Sequence, residues 1–335
     1  MNNLSLDDLK NLLENLFWGD ILLSFREQKQ KNNAGRKKSF TKLMLVKASI
    51  LKSELDIEDD TELAKRMKEN PNYVRFCGMS RAPSHNVLSA FQRRHTRAFE
   101  KMFEWLDKII EDDGHFVDDA LCHDGTDITL DKPQSDADPM MFGAKSNNKK
   151  FYGFWLMLSC SYRTELPRKF TFDKARIGQI TLTKQHLTSG QICNNSNNPF
   201  MFYDGIFDTR EIMELTVSEQ KKIPMVAFNA RGGAIEKFTD LPPDDWRFEY
   251  NPFLRCELFF KKEFKKRTAV ERFNSMVKLN GLITRVRTKA KKTNRKNRTR
   301  IIKTMVTLGL IHKQLCYLAQ HRRKTFQQPL CAYAQ

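Results

Sequence analysis

Two aspartates of this chain stand where a charge is costly. Asp124 lies in "CHDGT" (122–126) and Asp204 in "FMFYDGIFD" (200–208), each at the end of a β-rich run and each followed by a glycine. A carboxylate inside a hydrophobic strand must be paired, or ligate a metal, to offset its lost hydration. Taken singly, either one also reads as a plain turn former. A third acid, Glu271, interrupts the basic stretch "RTAVERFNSMVKLNGL" (267–282), with Arg267 four residues before it and Lys278 seven after. On a helix of about 100° per residue these offsets bring Glu271 and Lys278 within roughly 40° of Arg267, while Val270, Phe273 and Val277 face elsewhere. The bland account is a solvated Arg–Glu pair worth a few tenths of a kcal/mol. Three carboxylates without His or Cys partners suit hard cations such as Mg²⁺, with Mn²⁺ as a substitute. Two such ions about 4 Å apart can clamp the attacking and leaving oxygens of a phosphodiester. Asp118, Asp119 and Asp127 read as loop or edge residues, and Asp208 as the cap of the following helix.

Those acids need elements to hold them. The spacing predicts helix over 1–25, a basic linker at 28–39 and helical patterning from Phe40 to about Asp113. Within that stretch a helix opens at Asp60/Thr61 and a long one follows Ser84. Short helices joined by turns, with Gln92, Arg93, Arg94 and Arg97 on the last, suit a helix-turn-helix-like reader of DNA or simply a packing domain. After Gly114 come β-rich runs at 115–126, 151–164, 167–175, 199–207 and 222–232, with a helix at about 209–221. The first three runs suggest an antiparallel meander and the later ones parallel pairing, hence a mixed α/β sheet. A helix from about Lys262 to Asn280, a basic loop (285–300) and a last helix from about Arg300 to His321 complete the reading. The expected domains are 1–34 (helix and linker), 35–113 (helical, of DNA-binding type), 114–321 (catalytic) and 322–335 (tail).

Of 335 residues 40% are hydrophobic, and no apolar run approaches the ~18 residues of a membrane helix. Seven scattered cysteines, none in a C-x-x-C pair, argue against a disulfide framework and a structural zinc site, and fit a reducing cytoplasm. The net charge of +18 is concentrated: residues 255–335 hold 22 Lys/Arg against 3 Asp/Glu. Charge so placed is the footprint of a phosphate backbone, so a nucleic acid is the expected partner, and the resemblance given below makes it double-stranded DNA. The contacts expected from the tail are Arg285, Arg287, Lys289, Lys291, Lys292, Arg295 and Lys296, joined by Lys149, Lys150, Arg93 and Arg94.

The motifs together resemble a DDE transposase of a prokaryotic insertion sequence, from the group with a Tyr-Arg-Glu-Lys signature, Y-x2-R-x3-E-x6-K. This chain has Phe264, Arg267, Glu271 and Lys278 at that spacing, with Phe in place of Tyr. "HDGT" at 123–126 and "YDGIFDT" at 203–209 are similar to the family's two aspartate motifs, although Ile206 stands where a glycine is usual. "GRKKSFTKLMLVKASILK" and the segment from Asp60 to His95 resemble the helical domain that often comes first. The resemblance implies an RNase H-like sheet flanked by helices and preceded by an all-α domain. It also implies Asp124, Asp204 and Glu271 as ligands of two Mg²⁺, with Arg267 and Lys278 contacting phosphate or positioning the glutamate. Cleavage at the element's ends and strand transfer, by a homodimer or larger assembly on DNA, would follow; a nuclease without strand transfer or an inactive DNA-binding regulator are the alternatives.

Overall fold

The computed structural model describes residues 5–16, 18–25, 39–57, 59–116, 119–131, 137–144, 149–192, 197–229, 238–279 and 295–327. They form two compact units, Met1–Ile109 with Thr284–Gln335, and Ile110–Ile283. No described helix is long and apolar enough to cross a membrane.

The first unit is helical: α1 (Leu6–Asn15), α2 (Gly19–Ser24), α3 (Lys42–Glu54), α4 (Asp60–Glu69), α5 (Pro71–Phe76), α6 (His85–Arg94) and α7 (Thr96–Asp112), the last running on past Ile109. Local chemistry sets the starts. Ser5 and Asp8 form a capping box, and the Asp59 carboxylate accepts from the Thr61 and Glu62 amides. The cap of α4 is therefore one residue earlier than expected, and Asp60 instead forms a buried ion pair with Lys52 at 2.7 Å. Along α7, Phe99, Met102, Phe103, Leu106 and Ile110 recur at three- and four-residue steps and are all buried. The single long helix expected after Ser84 is broken at His95, whose φ of −111° and ψ of 25° leave the helical region. His95 is buried between Phe25 and Phe91, so packing of that ring explains the break. The break separates Arg97 from Arg93 and Arg94. Gln92 faces the interior, donating to Ser49 Oγ at 3.4 Å, and is no surface reader.

The second unit is built on one mixed sheet: β1 (Leu121–Thr129), β2 (Phe142–Ala144), β3 (Lys150–Ser161), β4 (Pro167–Lys174), β5 (Phe200–Tyr203) and β6 (Ile223–Val226). β1, β3 and β4 pair antiparallel in turn, while β5 runs parallel to β1 and β6 parallel to β5. The order is thus β4-β3-β1-β5-β6, with β2 added on β3, an RNase H-like arrangement. Helices α8 (Gln179–Thr188), α9 (Arg210–Ser218), α10 (Arg247–Tyr250), α11 (Glu257–Phe264) and α12 (Thr268–Leu279) accompany it. Strand side chains alternate between faces. His123 reaches Thr183 on α8, whereas its neighbour Asp124 reaches Asn274 on α12, so α8 and α12 cover opposite faces of β1. The helix expected from Lys262 to Asn280 begins earlier and is interrupted by a 3₁₀ turn at Lys265–Arg267. β2 and α8 were not expected from the sequence.

The last helix, α13 (Arg295–Gln327), starts within the run expected to be a loop. Its buried Ile302, Val306, Ile311, Leu315 and Leu318 pack with α1, α3 and α6, and Thr304 Oγ1 meets Thr96 Oγ1 at 2.7 Å. It thus belongs to the helical unit and not to the sheet-bearing one, which corrects the boundary drawn at 321.

Candidate active site

Register brings the two aspartates together. Cys122 on β1 pairs with Phe202 on the parallel β5, and there the ladder ends. Asp124 and Asp204 each stand two residues further along, in step and with the same facing. Asp124 is not at the end of its strand, as the sequence suggested. β1 continues to Thr129 against β3, with Asp124 opposite Leu158. Asp204 does follow the last residue of β5. In both Asp-Gly pairs the carboxylate Oδ1 accepts the next residue's amide, Gly125 or Gly205, at 2.7 Å, which turns the two side chains alike. Gly125 also leaves room for a neighbour: a Cβ there would come within 2.9 Å of Met157 Sδ.

The third acid comes from the helix over the same face. Val270 and Phe273 bury one side of α12, as the periodicity predicts, and Ala269 joins them. Glu271 remains half-exposed, and the Arg267 guanidinium donates to its Oε1 at 2.5 Å. The other arm of the same guanidinium lies 3.8 Å from Asp204 Oδ1. One arginine thus stands between two of the acids, and its side chain is only 18% exposed where theirs are 47% and 51%. Asp124 is the inner member. Burial pushes its carboxyl up to about 6; the negative charges of Asp204 and Glu271 add to the rise, and the Gly125 amide and Arg267 oppose it.

Asn274, three residues after Glu271, was missed by sequence reasoning. It is buried, its Nδ2 donates to Asp124 Oδ2 at 3.1 Å, and its own Oδ1 has no partner. Its offset of three from Glu271 on a helix was the available signal. The 3₁₀ turn that leads into α12 is tied to the sheet by Cys122, whose thiol donates to the Lys266 carbonyl. The oxygen donors gathered here, three carboxylates and an amide oxygen without a partner, fit a hard divalent cation in kind. They are not drawn tightly together. Among the described residues, the group of three metal-capable side chains whose ligand atoms all lie within 4.8 Å is Glu54, His312 and Cys316, in the helical unit.

The expected DNA contacts fare unevenly. Lys150 begins β3 and, with Trp155, Arg176, Gln179 and Ile206, lines an open cleft of about 670 Å³. Lys149 precedes it and is exposed. Arg93 is half-buried and Arg94 exposed, both on the last turn of α6. Lys278 lies on α12, and Arg295 and Lys296 on the first turn of α13 rather than in a loop. Arg285, Arg287, Lys289, Lys291 and Lys292 lie outside the described residues. A basic segment that the sequence reading did not single out leads into the site: Lys261, Lys262, Lys265 and Lys266.

The remaining acids have structural duties. Asp208 is not the cap of α9; Thr209 is, accepting from the Ile212 amide. Asp208 is buried and holds the Arg247 guanidinium at 2.9 Å. Asp119 is buried, accepting from Ser161 Oγ and the Arg163 amide at the turn between β3 and β4. Asp127 sits within β1, accepting from Thr129 Oγ1, and Asp118 lies outside the described residues.

Residues 2–94 match the family model described as Transposase domain (DUF772), which supports a transposase. No curated protein and no solved structure matches the chain.

Proposed function

We propose that this chain is a DDE transposase of the Tyr-Arg-Glu-Lys group, which cuts the ends of an insertion element and joins them to target DNA. One observation supports this above others. Asp124 and Asp204 stand at register-matched positions past the end of a parallel ladder, and Arg267 holds Asp204 together with Glu271 from the helix above. The transposase-domain match over residues 2–94 supports reading DNA as the substrate of that constellation.

Asp124, Asp204 and Glu271 would hold the divalent cations, Mg²⁺ or Mn²⁺, which when bound neutralise charge on the attacking and leaving oxygens and lower the pKa of water. The chain's own residues do the rest. Asn274 holds Asp124 Oδ2 through its amide, and its own buried oxygen has no partner in the protein alone. Arg267 neutralises Asp204 and Glu271 in the protein alone, and would turn to a DNA phosphate when the carboxylates take up cations. The lysines of 261–266 and the basic run 285–300 would hold the backbone without reading bases. Two ends must be cut and joined together, so a dimer or larger assembly on DNA is the working form.

The test is cleavage of DNA carrying the element's ends. Asp124→Asn, Asp204→Asn and Glu271→Gln should each abolish metal-dependent cutting while leaving DNA binding within a few-fold of the parent chain. Cutting that survives in any of the three removes that residue from the site. Cut ends that are never joined to target DNA would make the protein a nuclease instead.

A further inference from the structure

The tightest cluster of metal-capable side chains lies outside the proposed active site, between α3 and α13 of the helical unit. Glu54 is the last residue of α3; His312 and Cys316 are one turn apart on α13, so both project from one helix face toward it. His312 Nε2 lies 2.5 Å from Glu54 Oε2 and 3.4 Å from Cys316 Sγ. A Cys-His-acid relay needs the acid on one ring nitrogen and the thiol on the other. Here both partners meet the same nitrogen, so His312 cannot pass a proton from Cys316 to Glu54. What the arrangement does provide is three donor atoms of different kinds converging on one point, all within 4.8 Å of one another.

We propose that Glu54, His312 and Cys316 form a zinc-class metal site, with solvent in the fourth position, that fastens α13 to α3. Zinc takes thiolate, imidazole and carboxylate at about 2.3, 2.0–2.1 and 2.0–2.2 Å, so its tetrahedral edges are about 3.4–3.6 Å long. The sulfur–nitrogen edge already has that length, and the nitrogen–oxygen edge must open by about 1 Å, a rotamer adjustment of one glutamate. The metal would replace the proton that Nε2 now shares with Glu54, and the Cys316 thiol would release its own proton to solvent. Access is open, since the side chains of His312 and Glu54 are 25% and 15% exposed. A mixed soft and borderline donor set distinguishes this place from the all-oxygen site on the sheet, which suits Mg²⁺. A search for paired cysteines misses it, because the sequence shows only a His-x3-Cys step and the third ligand lies 258 residues away.

The test uses the full chain, stripped with a chelator and titrated with Co²⁺ and then Zn²⁺. The expected result is a thiolate-to-cobalt charge-transfer band that saturates at one cobalt per chain and is bleached by zinc, cobalt on the carboxylates of the sheet giving no such band. Cys316→Ser should remove the band. His312→Gln and Glu54→Gln should weaken zinc binding by roughly a hundredfold, at least what loss of an outer-shell partner costs. Zinc should raise the melting temperature of the parent chain and not of these variants. Absence of a thiolate band in the parent chain overturns the proposal whatever the variants do. A band that persists in Cys316→Ser also overturns it, by assigning the metal to another cysteine.

Discussion

Beneath the aspartates lies a buried chain of hydroxyls and imidazoles whose charge state should govern the acid stability of the sheet. Thr183 Oγ1 meets His123 Nε2 at 3.1 Å, His123 Nδ1 meets Ser159 Oγ at 2.9 Å, Ser159 meets His186 Nε2 at 2.8 Å, and His186 Nδ1 meets Thr171 Oγ1 at 3.0 Å. Both rings are fully buried, 4.7 Å apart, and each has a hydroxyl on both nitrogens. Hydroxyls can donate or accept, so the neutral rings are satisfied with no carboxylate to stabilise a charge. Burial pushes His123 down to about 3 and His186 well below its ordinary value. A base with a depressed folded pKa takes up its proton first in the unfolded chain. Its stabilising contribution is therefore complete above about pH 6.5 and is lost as pH falls toward 3. Between pH 7 and pH 5 the loss is set almost wholly by the unfolded value and amounts to about 2 kcal/mol for His123. His186 acts in the same direction. Asp124, held up at about 6, acts oppositely and returns about 1 kcal/mol over that window.

Because these opposing groups share the sheet, the measurement is a difference. Amide exchange of β1 and β3, which reads the free energy of opening this sheet, is compared at pH 7 and pH 5 for the parent chain and for His123→Gln. The variant starts less stable, because glutamine cannot meet Ser159 and Thr183 with the same geometry. It should then lose about 2 kcal/mol less than the parent on acidification. Equal losses would refute the argument that His123 is held neutral. An imidazole proton signal of His123 that titrates near pH 6.5 in the folded protein would refute it as well.

Three further outcomes follow from the site and its supports. Arg267→Gln removes the cation that holds Asp124 down, so the acid limb of the cleavage–pH profile should move to higher pH; an unmoved limb would detach Arg267 from Asp124. Gly153→Ala should cost about 3 kcal/mol, since the new Cβ would lie 2.0 Å from the Ile128 carbonyl oxygen, a backbone atom of β1 that moves only if the strand does. An unchanged urea midpoint would contradict it. Replacing Lys289, Lys291, Lys292, Arg295 and Lys296 with Ala should flatten the salt dependence of DNA binding by about 0.9 in log K per log salt for each phosphate that is no longer neutralised. Equal slopes would mean that this run does not touch the backbone.

How much of this was legible depends on the range over which the cause acts. The Asp-Gly steps in apolar runs, the Arg-x3-Glu step and the basic C-terminal run are local; that Arg267 lies against both Asp204 and Glu271, and Asn274 against Asp124, is set by tertiary packing the sequence does not display. The antiparallel-then-parallel order of strands was likewise readable from the alternation of β-rich runs and helices. α8 was not, because "QITLTKQHLT" is rich in residues that favour strands, and its helix is fixed by Thr183 and His186 bonding into the sheet. At the break the His95 ring packs against Phe91, one turn back, and against Phe25, and that second partner lies outside any local window of the sequence.

The final helix carries the same limit over to domains. Its charge and position suggested a continuation of the catalytic unit, yet its buried face is completed by α1, α3 and α6, nearly the whole chain away. An apolar stripe says that a helix must pack, and says nothing of which partner offers the matching face. The helical unit is consequently closed by residues from both ends of the sequence, while the sheet-bearing unit is continuous from Ile110 to Ile283. The helical unit therefore reaches its final packing only after the whole of the sheet-bearing unit has been synthesised. At that late-formed junction His312 of α13 meets Glu54 of α3 at 2.5 Å, a contact between elements 258 residues apart.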